Sequence, residues 1–347
     1  MTAARITLQE SVPTLLIGAG GALLFWLIGF PAAILTGPAA AVSLASVLGF
    51  RSHIPGRVRD AVFLVIGVSI GSTVTPEVIE TALAWPLSLG VFMITLVVTI
   101  LVVRVMLRRV FAFDPMTALL CAAPGHLSYV MGLSVDMKVD VTRVALVQSV
   151  RVLLLTLLVP VILVFWGAEG TAYMRTYGMI GVGPAVAVFG LALVLGLVFK
   201  RLSVPAPLLL GAMTVSAIGH GSDLTPGSLP DWLTVAAFVV MGSLIGTRFR
   251  GLTRAQLFGA LGAGVATTLV ACLLAAAGAL IAGRIVDMPP AALLLAFAPG
   301  GVEVMAALAV ETGLEPAFVA ACHVFRLALL SILLPLFLVD LKRRRRP

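Results

Sequence analysis

The sequence predicts an all-α polytopic membrane protein. Of its 347 residues, 61% are hydrophobic and only 11% charged. Mean hydropathy is +1.16. The apolar residues fall into long runs with short polar connections. Soluble globular domains do not have this composition. Lipid offers no partner to backbone N–H and C=O groups, so only helices or closed barrels cross it, and the runs lack the alternation of barrel strands.

In chain order the runs are 14–30, 31–50, 57–73, 84–107, 115–135, 141–166, 183–199, 205–220, 232–247, 255–285, 290–310 and 316–338. The first follows a segment with no strong basic region and no small-residue cleavage site, so Leu15 to Phe30 is expected to be a retained span. The second opens at Pro31 and the third follows Arg51, Arg57 and Arg59. The fifth opens at Pro115 and is interrupted at Ala123-Pro124-Gly125-His126, and the sixth carries Arg151 in its interior. The widest connection, 167–182, separates two halves, 1–166 and 183–347.

The halves read as copies. At an offset of 174, Pro31 meets Pro205 and Gly37 meets Gly211. At 175, Gly67 and Gly71 meet Gly242 and Gly246, Pro115 meets Pro290, Ala123-Pro124-Gly125 meets Ala298-Pro299-Gly300, Arg151 meets Arg326, and Pro160 meets Pro335. One offset held over such a length marks an internal repeat.

Charge sets the expected topology. Basic residues cluster at Arg51/Arg57/Arg59, Arg104/Arg108/Arg109, Lys138/Arg143, Lys200/Arg201, Arg248/Arg250/Arg254 and in the tail from Lys342 to Arg346. The connections 75–85, 221–231 and 311–315 hold acids and no base. With the basic connections in the cytoplasm, both broken runs, 115–135 and 290–310, enter and leave on one side. The expectation is two inverted repeats, each of five transmembrane helices plus one re-entrant hairpin, about ten crossings in all. Both termini are then cytoplasmic in an inner (plasma) membrane. Full-crossing broken helices are the competing topology. The net charge of +8 follows the same rule and does not call for nucleic acid.

Each break comes nine residues after its opening proline, about 13.5 Å of helix, or roughly half a 30 Å hydrocarbon core. Irregular backbone at that depth is tolerated only where protein buries it or a wet cavity receives it. Paired interruptions in the two halves of a membrane protein point to a transport site. A packing kink is the plainer reading of either motif alone.

The repeat, the twin Ala-Pro-Gly motifs, the Ala-Pro-Gly-Gly-Val-Glu segment and the late-helix arginines together resemble the membrane AbrB duplication family. Its members carry labels such as ammonia monooxygenase or AbrB family transcriptional regulator. The resemblance covers nearly the whole chain. It implies likeness to inverted-repeat secondary transporters whose broken helices or hairpins cross near the midplane, and it names no substrate.

Ionisable residues inside spans are costly and are read first as functional. Arg151 and Arg326 each lie ten residues into their spans, about 15 Å deep from opposite faces. Gln148 and His323 precede them by three residues, on the same helix faces. Unpaired N–H groups after the tip glycines and a guanidinium fork suit an anion, a planar carboxylate above all. The competing role for either arginine is an ion pair with Glu303 or Asp136. Glu303 stands where the first copy has Ser128. It is read as carrying a coupling proton or ligating sodium, or else as neutralising Arg326. His126 and His323 are candidate proton shuttles, with hydrogen-bonded packing the more frequent role of such histidines. The expected site is therefore Pro124, Gly125, His126, Ser128, Gln148, Arg151, Pro299, Gly300, Gly301, Glu303, His323 and Arg326.

The cysteines Cys121, Cys272 and Cys322 form neither a disulfide framework nor a zinc spacing. The Gly-x-x-x-Gly runs at Gly67–Gly71 and Gly242–Gly246 read as close helix packing; their hydroxyls facing the hairpin tips is the second reading. No phosphate loop, nucleophile–base pair or cofactor fingerprint occurs, so no enzyme, cofactor or metal is expected. The expected function is alternating-access, elevator-type carriage of a small organic anion, coupled to H+ or Na+. Its expected partners are the lipid bilayer, the anion and a second copy in a homodimer. The other function classes are a monooxygenase-like membrane enzyme and a membrane regulator or sensor.

Overall fold

The computed structural model describes residues 3–82, 85–125, 127–165 and 178–343. Most of the connection 167–182, the last residues of the basic tail and His126 therefore lie outside the described residues. The described chain is helical: α1 (Ala3–Leu27), α2 (Ala33–Val47), α3 (Gly56–Gly71), α4 (Pro76–Thr81), α5 (Trp85–Val110), α6 (Pro115–Ala122), α7 (Leu127–Asp136), α8 (Val141–Phe165), α9 (Val182–Arg201), α10 (Pro207–Gly221), α11 (Asp231–Thr247), α12 (Arg254–Ala282), α13 (Pro290–Phe297), α14 (Val302–Thr312) and α15 (Pro316–Arg343). Six stretches, in α1, α5, α8, α9, α12 and α15, are long and apolar enough to cross a membrane. The helices α2, α3, α10 and α11 have 15 to 17 residues. At about 1.5 Å per residue they rise roughly 22–26 Å, short of a 30 Å hydrocarbon core.

The chain forms two compact units, and each draws on both sequence halves. The first comprises 1–83, 156–252 and 303–317. Its core is a set of glycine-mediated helix contacts that occurs twice. Gly21 of α1 meets Gly37 of α2, and Gly196 of α9 meets Gly211 of α10, again at offsets of 175 and 174. Crosswise, Gly67 and Gly71 of α3 lie against α10, where an added Cβ would come 2.5 Å from the Leu209 carbonyl oxygen and 2.6 Å from that of Met213. Gly242 and Gly246 of α11 lie against α2 in the same way, with a Cβ at Gly246 reaching 2.6 Å from the Ser43 nitrogen. Backbones approach this closely only where a side chain is missing, so the Gly-x-x-x-Gly runs are packing surfaces. Both α2 and α10 start from a left-handed alanine, Ala32 (φ 51°) and Ala206 (φ 46°), each directly after a proline.

The two ends of this unit differ chemically. At one end Arg250 pairs with Glu10 at 3.0 Å and also donates to the Ser52 carbonyl, while His53 N–H donates to the Thr14 hydroxyl. At the other, the start of α2, the end of α3, the start of α11 and the end of α14 come together: Ile34 N–H donates to Glu311, and Glu311 shares a cavity with Thr73 and Asp231.

The second unit comprises 84–155, 253–302 and 318–347. Here α5 packs on α12 and α6. Phe92 of α5 meets Phe297 of α13 edge-on at 5.2 Å, and Trp85 meets Phe318 of α15 at 5.4 Å. The arms α6 and α7 barely touch each other.

Candidate functional site

Sequence-local rules dictate both breaks. Asp114 caps α6 by accepting from Met116 N–H at 3.0 Å and Thr117 N–H at 3.1 Å, and Pro115 fits the first helical position, where no N–H is needed. The helix stops at Ala123 because the ring of Pro124 bars its predecessor from helical ψ; Ala123 adopts ψ 114°. The copy repeats this: Pro290 opens α13, and Ala298, before Pro299, adopts ψ 137°. Stopping a helix inside an apolar run orphans its last carbonyls.

Polar side chains of the following long helices take up those carbonyls. Gln148 Nε2 donates to Leu120 O and to Ala123 O, both at 3.0 Å. Arg151 Nη2 donates to Ala123 O at 3.4 Å and, very closely, to Gln148 Oε1. In the second copy His323 Nε2 donates to Leu295 O at 3.2 Å, and Arg326 Nη1 donates to Ala298 O at 3.0 Å. Arg326 Nη2 donates to Gly300 O. Both copies bridge 28 residues, from 148 to 120 and 151 to 123, then from 323 to 295 and 326 to 298. The repeat thus extends to individual hydrogen bonds. Gln148, Arg151, His323 and Arg326 are all essentially inaccessible, at 2% exposure or less.

These residues clasp the breaks first; the planar Arg326 guanidinium sits on two backbone carbonyls, and that of Arg151 on one carbonyl and the Gln148 side chain. Arg151 retains two donors, Nε and Nη1, with no partner among the described residues, and it forms no salt bridge with Asp136 there. Pro124 and Pro299 line one small cavity with Arg326, Phe92, Thr95 and Phe297. Its volume is about 10 Å3, roughly the space of a single water. Gly125 is held against α15, where an added Cβ would lie 2.5 Å from Leu330 Cδ1. Gly300 N–H closes a tight turn onto Ala298 O at 2.9 Å. Gly301 is half-buried just before α14.

The remaining expected residues stand apart from this cluster. His126 lies outside the described residues, as does the side chain of Ser128 in α7. Glu303 begins α14 in the first unit, where its carboxylate acts electrostatically on Arg248. An acid in the first turn of a helix also suits the helix dipole. The hydroxyls of the Gly67–Ser72 run face a cavity with Glu311. Sequence reasoning had placed Glu311 in a solvated connection and missed its burial. The signal for it was weak: an acid closing the seven-residue apolar run from Val304 to Val310.

Comparison with known proteins now bears on this arrangement. A model of the family described as "Transition state regulatory protein AbrB" matches residues 34–341. A protein of Bacillus subtilis (strain 168), "Uncharacterized protein YhjN", is 29% identical over 299 residues, 79% of this chain and 76% of that protein. The "Putative regulator AbrB" of Escherichia coli (strain K12) is 25% identical over 315 residues, 89% of each chain. With its duplicated helix breaks and a family match over most of its length, the chain belongs to the AbrB family of membrane-type, all-helical proteins.

Proposed function

We propose that the protein is a secondary carrier for a small organic anion such as a carboxylate, working by alternating access and coupled to H+ or Na+. The observation that carries this reading is the pair of helix breaks that converge on one cavity in the second unit, with Arg326 in its wall. Discontinuous helices with facing ends are how transporters assemble midplane sites. Arg151 brings two donors without a partner among the described residues and a fixed positive charge. The cavity between the prolines is too small for substrate, so the tips must part to admit it, and elevator-type carriage then moves the unit that bears them. A regulator or a monooxygenase-like enzyme, as family labels suggest, lacks a comparable observation.

The topology proposed with it is two inverted repeats, 1–166 and 183–347, with hairpins at 115–135 and 290–310 and both termini cytoplasmic in the plasma membrane. Support comes from the first unit, where Glu10, Ser52 and Arg250 share one end while Asp231 and Glu311 share the other. In a background without Cys121, Cys272 and Cys322, cysteines at Asp223 and Glu315 are expected to react with an impermeant thiol reagent from outside. One at Arg108 is expected to react only after permeabilisation. Outside labelling at Arg108 would reverse the topology, and protection at Glu315 would replace the hairpin with a full crossing.

The function is tested by thermal unfolding of the purified protein against a panel of small mono- and dicarboxylates. A ligand that binds only the folded state raises the melting temperature with its concentration. At least one carboxylate is expected to do so, with the corresponding amide inert. An inert panel combined with stoichiometric copper, iron or zinc in the protein would favour the enzyme.

A further inference from the structure

The acidic end of the first unit holds a cavity of about 190 Å3, separate from the tip cluster in its lining residues. Ser69, Ser72, Thr73, Ser228, Asp231, Thr234 and Glu311 supply its polar wall. Two of its hydroxyls have their protons committed elsewhere. Ser72 donates to Ser69 O at 2.9 Å, and Thr73 donates to Ile70 O at 2.7 Å. What these oxygens can still present to a ligand is lone pairs. Ser228 Oγ is fully buried and has no partner among the described residues. Glu311 accepts from Ile34 N–H through Oε1 at 3.3 Å, while its inaccessible Oε2 has no partner among the described residues.

Among the described residues no lysine, arginine or histidine lines this cavity. An anion there would meet the Glu311 carboxylate and find no balancing charge. A carboxylate oxygen buried without a hydrogen-bond partner is costly unless it is neutralised. A set of hard oxygen donors with one buried negative charge fits a hard monovalent cation. Asp231 is exposed, at the rim rather than among the buried donors. Calcium ordinarily takes several carboxylates, whereas Glu311 is the one acid with a buried oxygen among the described residues of this wall.

We propose that Glu311, Ser72, Thr73 and Ser228 form a sodium-binding site in the first unit, with Glu311 Oε2 as its charged ligand. The site does not depend on the carrier reading, since it is complete without any residue of the tip cluster. Binding is measured at pH 8.5, well above the ordinary carboxylate range.

The test is equilibrium binding of radioactive sodium to the purified full-length protein, with choline chloride holding ionic strength constant and no organic anion present. Thermal unfolding is followed in the same buffers. Expected are saturable binding near one ion per chain and a rise in melting temperature of about 4 °C when sodium exceeds its dissociation constant roughly tenfold. Glu311→Gln retains a carbonyl for Ile34 N–H, so it is expected to fold and to lose binding at least tenfold. Ser228→Ala is expected to weaken it several-fold and serves if the first variant misfolds. Equal sodium binding by wild type and either folded variant would overturn the site. So would the absence of saturable binding, or saturation by calcium at concentrations where sodium has no effect. None of these results requires transport, so they are separable from failure of the carrier reading.

Discussion

Replacing Arg326 with leucine is expected to lower the apparent melting temperature of the purified protein by on the order of 10 °C. Its guanidinium donates to Ala298 O and Gly300 O at the second break, and neither carbonyl has a helical partner of the usual kind once Pro299 stops the helix. A hydrogen bond to a charged group contributes about 1.5–3 kcal/mol, so losing two costs about 3–6 kcal/mol. At roughly 2–4 °C per kcal/mol this gives the expected shift. Arg326→Lys preserves the charge but reaches one carbonyl, so about half the loss is expected. Arg151→Leu is expected to do less harm than Arg326→Leu. Ala123 O also receives Gln148 Nε2, so the first break keeps a donor when Arg151 is gone. Thermal unfolding of the three variants in detergent checks the order. Equal, negligible shifts would mean that the breaks do not rely on these clasps.

Glu303→Gln is expected to leave anion binding within a few-fold of wild type and to abolish its dependence on a proton or sodium gradient. Glu303 follows the second tip by two residues, and α14 begins with it in its first turn. Glutamine keeps the shape and removes the ionisable group, so a carboxylate that carries the coupling charge is silenced without disturbing the break. Its electrostatic partner in the first unit is Arg248, which offers the competing explanation: a structural pair. The two explanations separate on the measurement. A structural pair predicts a lower melting temperature with coupling intact, and a coupling carboxylate predicts the reverse. Initial uptake rates in proteoliposomes, with and without each gradient, read coupling directly.

The helical class and the positions of both breaks were legible in the sequence because each depends on local chemistry. Proline fixes its predecessor, glycine admits a neighbouring backbone, and 20-residue apolar runs have few uses. Depth counting from Val141 and Pro316 brought Arg151 and Arg326 to the level of the tips, and hydrogen bonds now link each arginine to its own break. What the arginines do there was not legible. A guanidinium fork fits a carboxylate and a pair of orphaned carbonyls equally well, and only coordinates show which acceptors lie within reach. Gln148 and His323 read as members of the binding site beside the arginines, and they cap the last turns of α6 and α13. The crosswise packing of α3 on α10 and α11 on α2 was hidden for another reason: periodicity names the face of a helix, not its neighbour. Glu311 was obscured by its position. An acid at a helix end reads as solvated until the fold closes a cavity over it.

The carrier reading is tested most directly by uptake of the carboxylate that stabilises the protein. Wild-type protein in liposomes is given an inward sodium gradient, an inward proton gradient, or neither. The account predicts saturable uptake above the empty-liposome rate, accelerated several-fold by one of the two gradients and lost in Arg326→Lys protein that still folds. Uptake indistinguishable from empty liposomes under all three conditions, by protein that binds the same anion, would contradict it.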